Sequence, residues 1–355
     1  MDYKSPLHKT VMTTKTEFWN DSCAISELKP AIENGATGAT TNPVIVGNVL
    51  KKEMDLWRDR INQLVKEMAH ASEIDIAWKL NEEMAIKGAK LFEDVFKREK
   101  GKKGRLSIQT NAVNYRDTGA MVKQAVYFNT LAPNIQVKMP VTEEGVEAVE
   151  ESTYQGVSVN ATVSFCVPQV LAVAEAVERG LKRRQAEGKD ISQMSPICTM
   201  MVGRLDDALK AIWSKQGVPC DPGILEWAGI ACFKRAYKIY REKKYATRLL
   251  SAAYRNVMQW SEFVGGDVVL TITSDWQNII NNSGIDPAPR MDAPVDPKTI
   301  EALLKHFPDF RKAYEPDGLK PGEFVEFLPT KRTLSQFLGG YASLLETIRG
   351  FMIKL

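Results

Sequence analysis

Eight short segments of this chain read as β-strands, and helical pattern separates them. They lie at about 17–22, 36–42, 105–111, 135–139, 157–165, 197–202, 248–254 and 267–272. Strands that alternate with helical segments pair in parallel, because a parallel connection needs a crossover of a dozen residues or more. Eight parallel strands are the number that closes on itself, so the expected fold is α/β, a single (β/α)8 barrel of the TIM type. A long helical stretch, 54–96, lies between the second and third strands. After the eighth, a proline-rich segment at 285–297 leads into a helical C-terminal tail, 298–355. A length of 355 residues suits one barrel with additional helices, or two smaller domains. With no linker, repeat or low-complexity segment in view, one domain over 1–355 is expected, its barrel at about 16–284 and its tail at about 285–355, packed across the barrel or over its mouth.

Lys138 stands out within the fourth strand. The run Asn134-Ile135-Gln136-Val137-Lys138-Met139-Pro140 otherwise reads as a buried strand, and an ammonium group costs several kcal/mol to desolvate unless it is paired or loses its proton. Thr142 and the apolar periodicity that follows mark a helix start, so the lysine sits at the carboxyl end of its strand, the active face of parallel α/β proteins. The next strand alternates, with Val157, Val159, Ala161 and Val163 on one face and Ser158, Asn160, Thr162 and Ser164 on the other. Alone, that pattern also describes an antiparallel strand with one wet face. Between two helical segments it describes a strand whose polar face looks into a polar barrel lumen.

Composition excludes several function classes. Forty-seven basic and 44 acidic groups leave a net charge of +3, too small to imply nucleic acid. No stretch approaches 18 consecutive apolar residues and residues 1–15 are polar, so neither a membrane span nor a signal peptide is expected, and the setting reads as cytoplasmic. The five cysteines are odd in number and lack metal-ligand spacing, which suits reduced thiols. His8, His70 and His306 all lie away from strand ends, which argues against a histidine triad or a histidine metal site. No glycine-rich phosphate loop follows a strand into a helix. Lys138 is left as the candidate nucleophile.

Five motifs, in order, are similar to those of one family. Thr40-Thr41-Asn42-Pro43, the Lys138 strand, Val159-Asn160-Ala161-Thr162, Val202-Gly203-Arg204 and Ala253-Tyr254-Arg255-Asn256 resemble landmarks of the transaldolases and the related fructose 6-phosphate aldolases, from about Trp19 to about Ser274. The tail segments Phe310-Arg311-Lys312-Ala313-Tyr314 and Arg332-Thr333-Leu334-Ser335-Gln336-Phe337 resemble the C-terminal region of the longer transaldolases. The resemblance implies a class I Schiff-base mechanism on sugar phosphates, as in pentose phosphate metabolism, with no metal and no organic cofactor. A homo-oligomer stays open.

By the same resemblance, Lys138 attacks the ketose carbonyl. That requires a neutral amine, the form of only about one in a few thousand lysines at pH 7 and a pKa of about 10.4. Asp21 becomes the general base at the C4 hydroxyl, Thr162 holds a water that shuttles protons, and Asn42 and Asn160 hold hydroxyls of the three-carbon enamine. Thr199 takes the place of a family serine, and Arg204 and Arg255 clamp the phosphate. Each residue also has a plainer reading: helix capping for Asp21, turn formation before Pro43 for Asn42, surface ion pairs for the arginines.

Three positions depart from the pattern. Gln109 replaces a transaldolase glutamate and matches the aldolases. Met201 stands where transaldolases have phenylalanine and the aldolases a tyrosine that helps to protonate the enamine. Ala253 replaces a phosphate-binding serine. The sequence therefore points to a transferase of dihydroxyacetone units. A fructose 6-phosphate aldolase-like enzyme is the alternative, and a non-catalytic sugar-phosphate-binding barrel is the reading from another class.

Overall fold

A computed structural model describes residues 3–353. Its eight strands, β1 (Glu17–Asn20), β2 (Gly38–Thr40), β3 (Arg105–Gln109), β4 (Ile135–Pro140), β5 (Val159–Ser164), β6 (Ile197–Met200), β7 (Arg248–Ser251) and β8 (Val269–Ile272), close a barrel in sequence order. Every neighbouring pair is parallel, β8 returning to β1. This is the (β/α)8 architecture expected from the sequence, with additional helices around it.

Most strands are shorter than expected, because residues at their carboxyl ends do other work. Asn42 leaves the ladder to cap the Pro43–Lys52 helix, its side chain accepting from the Ile45 N–H at 3.0 Å. Ala253 turns to φ +64°, a left-handed conformation that ends extended pairing. The stretch at 54–96 is three helices, Met54–Glu67, Glu73–Leu91 and Glu93–Arg98; the break before the second is fixed by a capping box of Ser72 and Asp75.

Register separates the two faces of the sheet. Gln109, Lys138 and Asn160 are direct neighbours across β3, β4 and β5, and Ser107 and Gln136 form the pair beneath. Their hydrogen bonds to one another place this row in the lumen. The other row, including Ile108, Val137, Val159, Ala161, Cys198 and Leu270, is fully buried against the surrounding helices, at roughly 1.5–3 kcal/mol for each large aliphatic side chain.

The alternation expected in β5 breaks. Its register against β6 shifts between Ala161 and Ser164, and Val163 adopts φ +58°, which a β-branched residue avoids unless its surroundings impose it. Asn160 and Thr162 keep the inner face. Ser164 moves to the outer side, where its hydroxyl donates to Thr199 O at 2.7 Å.

Charged groups fill the amino end of the lumen. Arg248 pairs with Glu17 at 2.5 Å, Thr37 donates to the same carboxylate at 2.7 Å, and Arg105 donates to the carbonyls of Gly101, Ile135 and Gln193. At the carboxyl end the 25-residue Leu328–Met352 helix lies beside the mouth. Thr333 accepts from Arg204, Gly340 packs against Val44 with no room for a Cβ, and the Tyr341 hydroxyl accepts from Trp78 Nε1 at 3.2 Å. The last helix of the tail therefore packs at the carboxyl-end mouth, where the sequence leaves open a position across the barrel or over its mouth.

Candidate active site

Lys138 points into this lumen with only 4% of its surface exposed. Burial pushes its pKa below the ordinary lysine value; the Arg204 charge pushes the same way, and Asp21 opposes. Asp21, one residue beyond β1, shows the mirror image. Burial raises its pKa, while Lys138, a hydrogen bond from Thr40 and Arg204 oppose. Thr40 Oγ1 lies 2.6 Å from Asp21 Oδ1 and 2.7 Å from Thr271 Oγ1, so β2 and β8 hold the carboxylate from the β1 end. Asp21 caps no helix. The following helix, Ile25–Glu33, has Ala24 at its N-cap, and the Ala24 N–H donates to Ser22 Oγ, not to Asp21. The capping alternative for Asp21 is therefore ruled out.

Asn42, read from the sequence as a turn former before Pro43, is instead a helix N-cap, and that role leaves its amide nitrogen uncommitted. Its Oδ1 is spent on Ile45, while Nδ2 can still donate. Asn160 is committed at both ends: Oδ1 accepts from Thr199 Oγ1 at 2.7 Å, and Nδ2 donates to Ser107 Oγ at 3.1 Å. Thr199 thus orients Asn160, and one Nδ2 hydrogen remains. Gln109 pairs with Lys138 across β3 and β4, and Thr162 lies on β5 opposite Pro140, two residues beyond the Asn160 that pairs with Lys138. Gln109 Oε1 and Thr162 Oγ1 are buried with no partner among the described residues, although buried polar atoms are nearly always bonded. Two unspent polar atoms beside an amine can serve a water or a substrate hydroxyl.

The two arginines differ. Arg204 lies in the first turn of the Val202–Gln216 helix, just past β6, where the helix N-terminus also favours an anion. Among the described residues its Nε is buried without a partner, and its one hydrogen bond, to Thr333, is long at 3.4 Å. Arg255 is largely spent: Nε and Nη2 fork onto Asp207 at 3.0 and 2.6 Å, and Nη1 donates to Ala253 O and Tyr254 O. The two guanidiniums sit close enough that Arg255 lowers the pKa of Arg204, second only to burial. Gly203 makes this approach possible, since a Cβ there would stand 2.1 Å from Ala253 O and 2.7 Å from Arg255 Cγ.

A buried amine, a carboxylate, amide donors and a pair of cations around one mouth can bind a polar anionic molecule and carry out nucleophilic and acid–base chemistry on it. The family model for transaldolase/fructose-6-phosphate aldolase matches residues 18–314. The chain belongs to this family. A protein named transaldolase from Thiobacillus denitrificans is 31% identical over 220 residues, 60% of this chain and 59% of that one. Another of that name, from Renibacterium salmoninarum, is 23% identical over 340 residues, 89% of this chain and 87% of that one. The chain thus spans under two thirds of the first relative's length and most of the second's.

Gln109, Lys138, Asn160, Thr162 and Thr199 lie within β3, β4, β5 and β6, and Asp21, Asn42, Arg204 and Arg255 lie shortly past β1, β2, β6 and β7. Sequence reasoning missed their supports: Thr40, Ser107, Gln136 and Thr271 in the lumen, and Asp206, Asp207 and Gln259 around the arginines. The strand residues share the alternation of the functional ones and could have been found by it. The helix carboxylates carry no such signal.

Proposed function

We propose that the chain is a transaldolase-type transferase that moves a dihydroxyacetone unit from a ketose phosphate to an aldose phosphate through a Schiff base on Lys138. The single observation that carries this reading is Lys138 itself, a buried lysine paired across the sheet with Gln109 and Asn160, with Asp21 near enough to perturb it. In this reading Lys138 Nζ attacks the C2 carbonyl, and water leaves to give the iminium. Asp21 takes the C4 hydroxyl proton as the C3–C4 bond breaks and the first aldehyde departs. The enamine on Lys138 then adds to the acceptor aldehyde, and hydrolysis returns the amine. Asn42 and Asn160 hold the hydroxyls of the three-carbon unit, and Arg204 and Arg255 hold the phosphate. Neither a metal nor an organic cofactor has a part in these steps. Met201 offers no proton to the enamine, which favours transfer over release. Gln109 favours the second reading, a free aldolase.

A cytoplasmic setting in pentose phosphate metabolism belongs to the same proposal, supported by five free thiols and by the family. Among the described residues no helix is long and apolar enough to cross a membrane.

The test is to supply fructose 6-phosphate alone and then with erythrose 4-phosphate. The transferase reading expects at most one glyceraldehyde 3-phosphate per site until the acceptor is added, and steady turnover afterwards. Continuous release of free dihydroxyacetone without acceptor would move the chain to the aldolases.

The arginines should not contribute equally. Arg204 has most of its donors free, so Arg204→Met should weaken phosphorylated substrates by about tenfold to a hundredfold, the worth of a charge-assisted bond. Arg255→Met should cost less, since Asp207 and two carbonyls already hold its side chain. The readout is KM for fructose 6-phosphate relative to free dihydroxyacetone in each variant, and equal losses would contradict the asymmetry.

The Arg204 charge also bears on the amine. Removing it should raise the Lys138 pKa, because a positive neighbour favours the neutral form. The pH midpoint for trapping free dihydroxyacetone, which has no phosphate to lose, should therefore move to higher pH in Arg204→Met. An unchanged or lower midpoint would exclude this coupling.

A further inference from the structure

Arg255 is held from two directions by consecutive carboxylates of one helix. Asp207 takes the guanidinium. Asp206, fully buried, reaches the Arg255 backbone through one intermediary: its Oδ2 accepts from Gln259 Nε2 at 2.6 Å, and Gln259 Oε1 accepts from the Arg255 N–H at 2.5 Å. Gln259 is itself fully buried. The other oxygen, Oδ1, accepts at 2.8 Å from the N–H of Gly229 in the first turn of the Ala228–Lys243 helix, where the helix dipole favours an anion. That helix end presses directly on the Arg204 helix, since a Cβ at Gly229 would lie 2.4 Å from Val202 O. Two oxygens each accepting an N–H is the bonding of a carboxylate. Burial raises the Asp206 pKa to about 8, with Glu226 and Asp207 adding to it, and the Gly229 N–H and the Lys210 charge oppose it. None of these contacts reaches the lumen, so the imine chemistry does not use them.

We propose that Asp206, acting through Gln259, is the positioning residue of the anion site, fixing the Arg255 backbone and hence the guanidinium beside Arg204. The proposal rests on the reading of Arg204 and Arg255 as phosphate ligands. A carboxylate at 206 permits one orientation of the Gln259 amide, nitrogen toward Asp206 and oxygen toward Arg255. An asparagine at 206 has one oxygen for two donors. With that oxygen kept on Gly229, its own NH2 faces the NH2 of Gln259. Gln259 must then flip and turn NH2 onto the Arg255 N–H, so the disturbance emerges at Arg255. A glutamate at 259 removes the conflict, because a carboxylate there accepts both from the amide introduced at 206 and from the Arg255 N–H.

The experiment compares kcat and KM for fructose 6-phosphate with those for free dihydroxyacetone in wild type, Asp206→Asn, Gln259→Met, Asp206→Asn/Gln259→Glu and Arg255→Lys. The expected result is a KM for the phosphorylated sugar raised about threefold to tenfold in Asp206→Asn and Gln259→Met, the effect of one lost hydrogen bond, with dihydroxyacetone little affected. The double variant should return toward the wild-type ratio. Gln259→Met leaves the Asp206 to Gly229 bond intact and decides the matter if Asp206→Asn fails to fold. If Arg255→Lys leaves the ratio unchanged, the phosphate reading falls and the proposal with it. If Arg255→Lys moves the ratio but Asp206→Asn and Gln259→Met do not, or both substrates suffer equally without rescue, the positioning role alone is overturned.

Discussion

Replacing Lys138 by alanine should abolish the adduct that borohydride traps with fructose 6-phosphate, and all turnover with it. No other group can take over the reaction, because the imine nitrogen becomes part of the intermediate. Peptide mapping of the wild-type protein should place the label on the segment that carries β4. The same variant should be at least as stable as wild type. A buried ammonium with a depressed pKa costs free energy to keep in the lumen, and alanine removes that cost at the risk of a small cavity. Thermal melting beside the trapping assay therefore separates two roles. Lost trapping with retained Tm marks a functional lysine. A large fall in Tm, or label on a different lysine, would mean that Lys138 serves the fold and that the nucleophile lies elsewhere.

What the sequence made legible follows from what periodicity can encode. All eight strands were found, because short runs bounded by helical segments need nothing beyond local pattern. Lys138 was legible for the same reason: a charge inside an apolar strand contradicts its surroundings. The strand ends were not legible. Asn42 departs from β2 because of a cap three residues ahead, and the bulge at Val163 depends on how β5 meets β6, a contact made only in the closed barrel. The strict alternation read from 157–165 therefore holds for Asn160 and Thr162 and fails at Ser164. Arg204 and Arg255 could be located but not ranked. Their difference comes from Asp207, on a helix rather than a strand, and from carbonyls that turn toward Arg255 only because Ala253 takes a positive φ.

Asp21→Asn and Gln109→Glu should change opposite halves of the reaction. Asp21 is freed of any capping duty, its Oδ1 is fixed by Thr40, and its pKa is raised by burial. A carboxylate with a raised pKa is a stronger base, and losing a general base typically costs about 10² to 10⁴ in rate. In Asp21→Asn the imine should still form and trap, while cleavage of the C3–C4 bond, followed as single-turnover release of glyceraldehyde 3-phosphate, should fall by about that factor. One further effect runs in a known direction: Asp21 holds the Lys138 pKa up, so its neutralisation should lower that pKa and favour trapping at neutral pH. Gln109 acts earlier. Its unpartnered Oε1 can orient a water beside Thr162 but cannot exchange a proton, so dehydration of the carbinolamine proceeds without a carboxyl group at that position. A glutamate there should speed single-turnover trapping and leave the cleavage rate of the preformed imine unchanged. If Gln109→Glu slows trapping instead, a second carboxylate near Asp21 harms the site, and the glutamine is fitted to an aldolase-like reaction. If Asp21→Asn leaves cleavage intact, the base is another group, and the hydrogen bond from Thr40 to Asp21 belongs to the packing of the lumen.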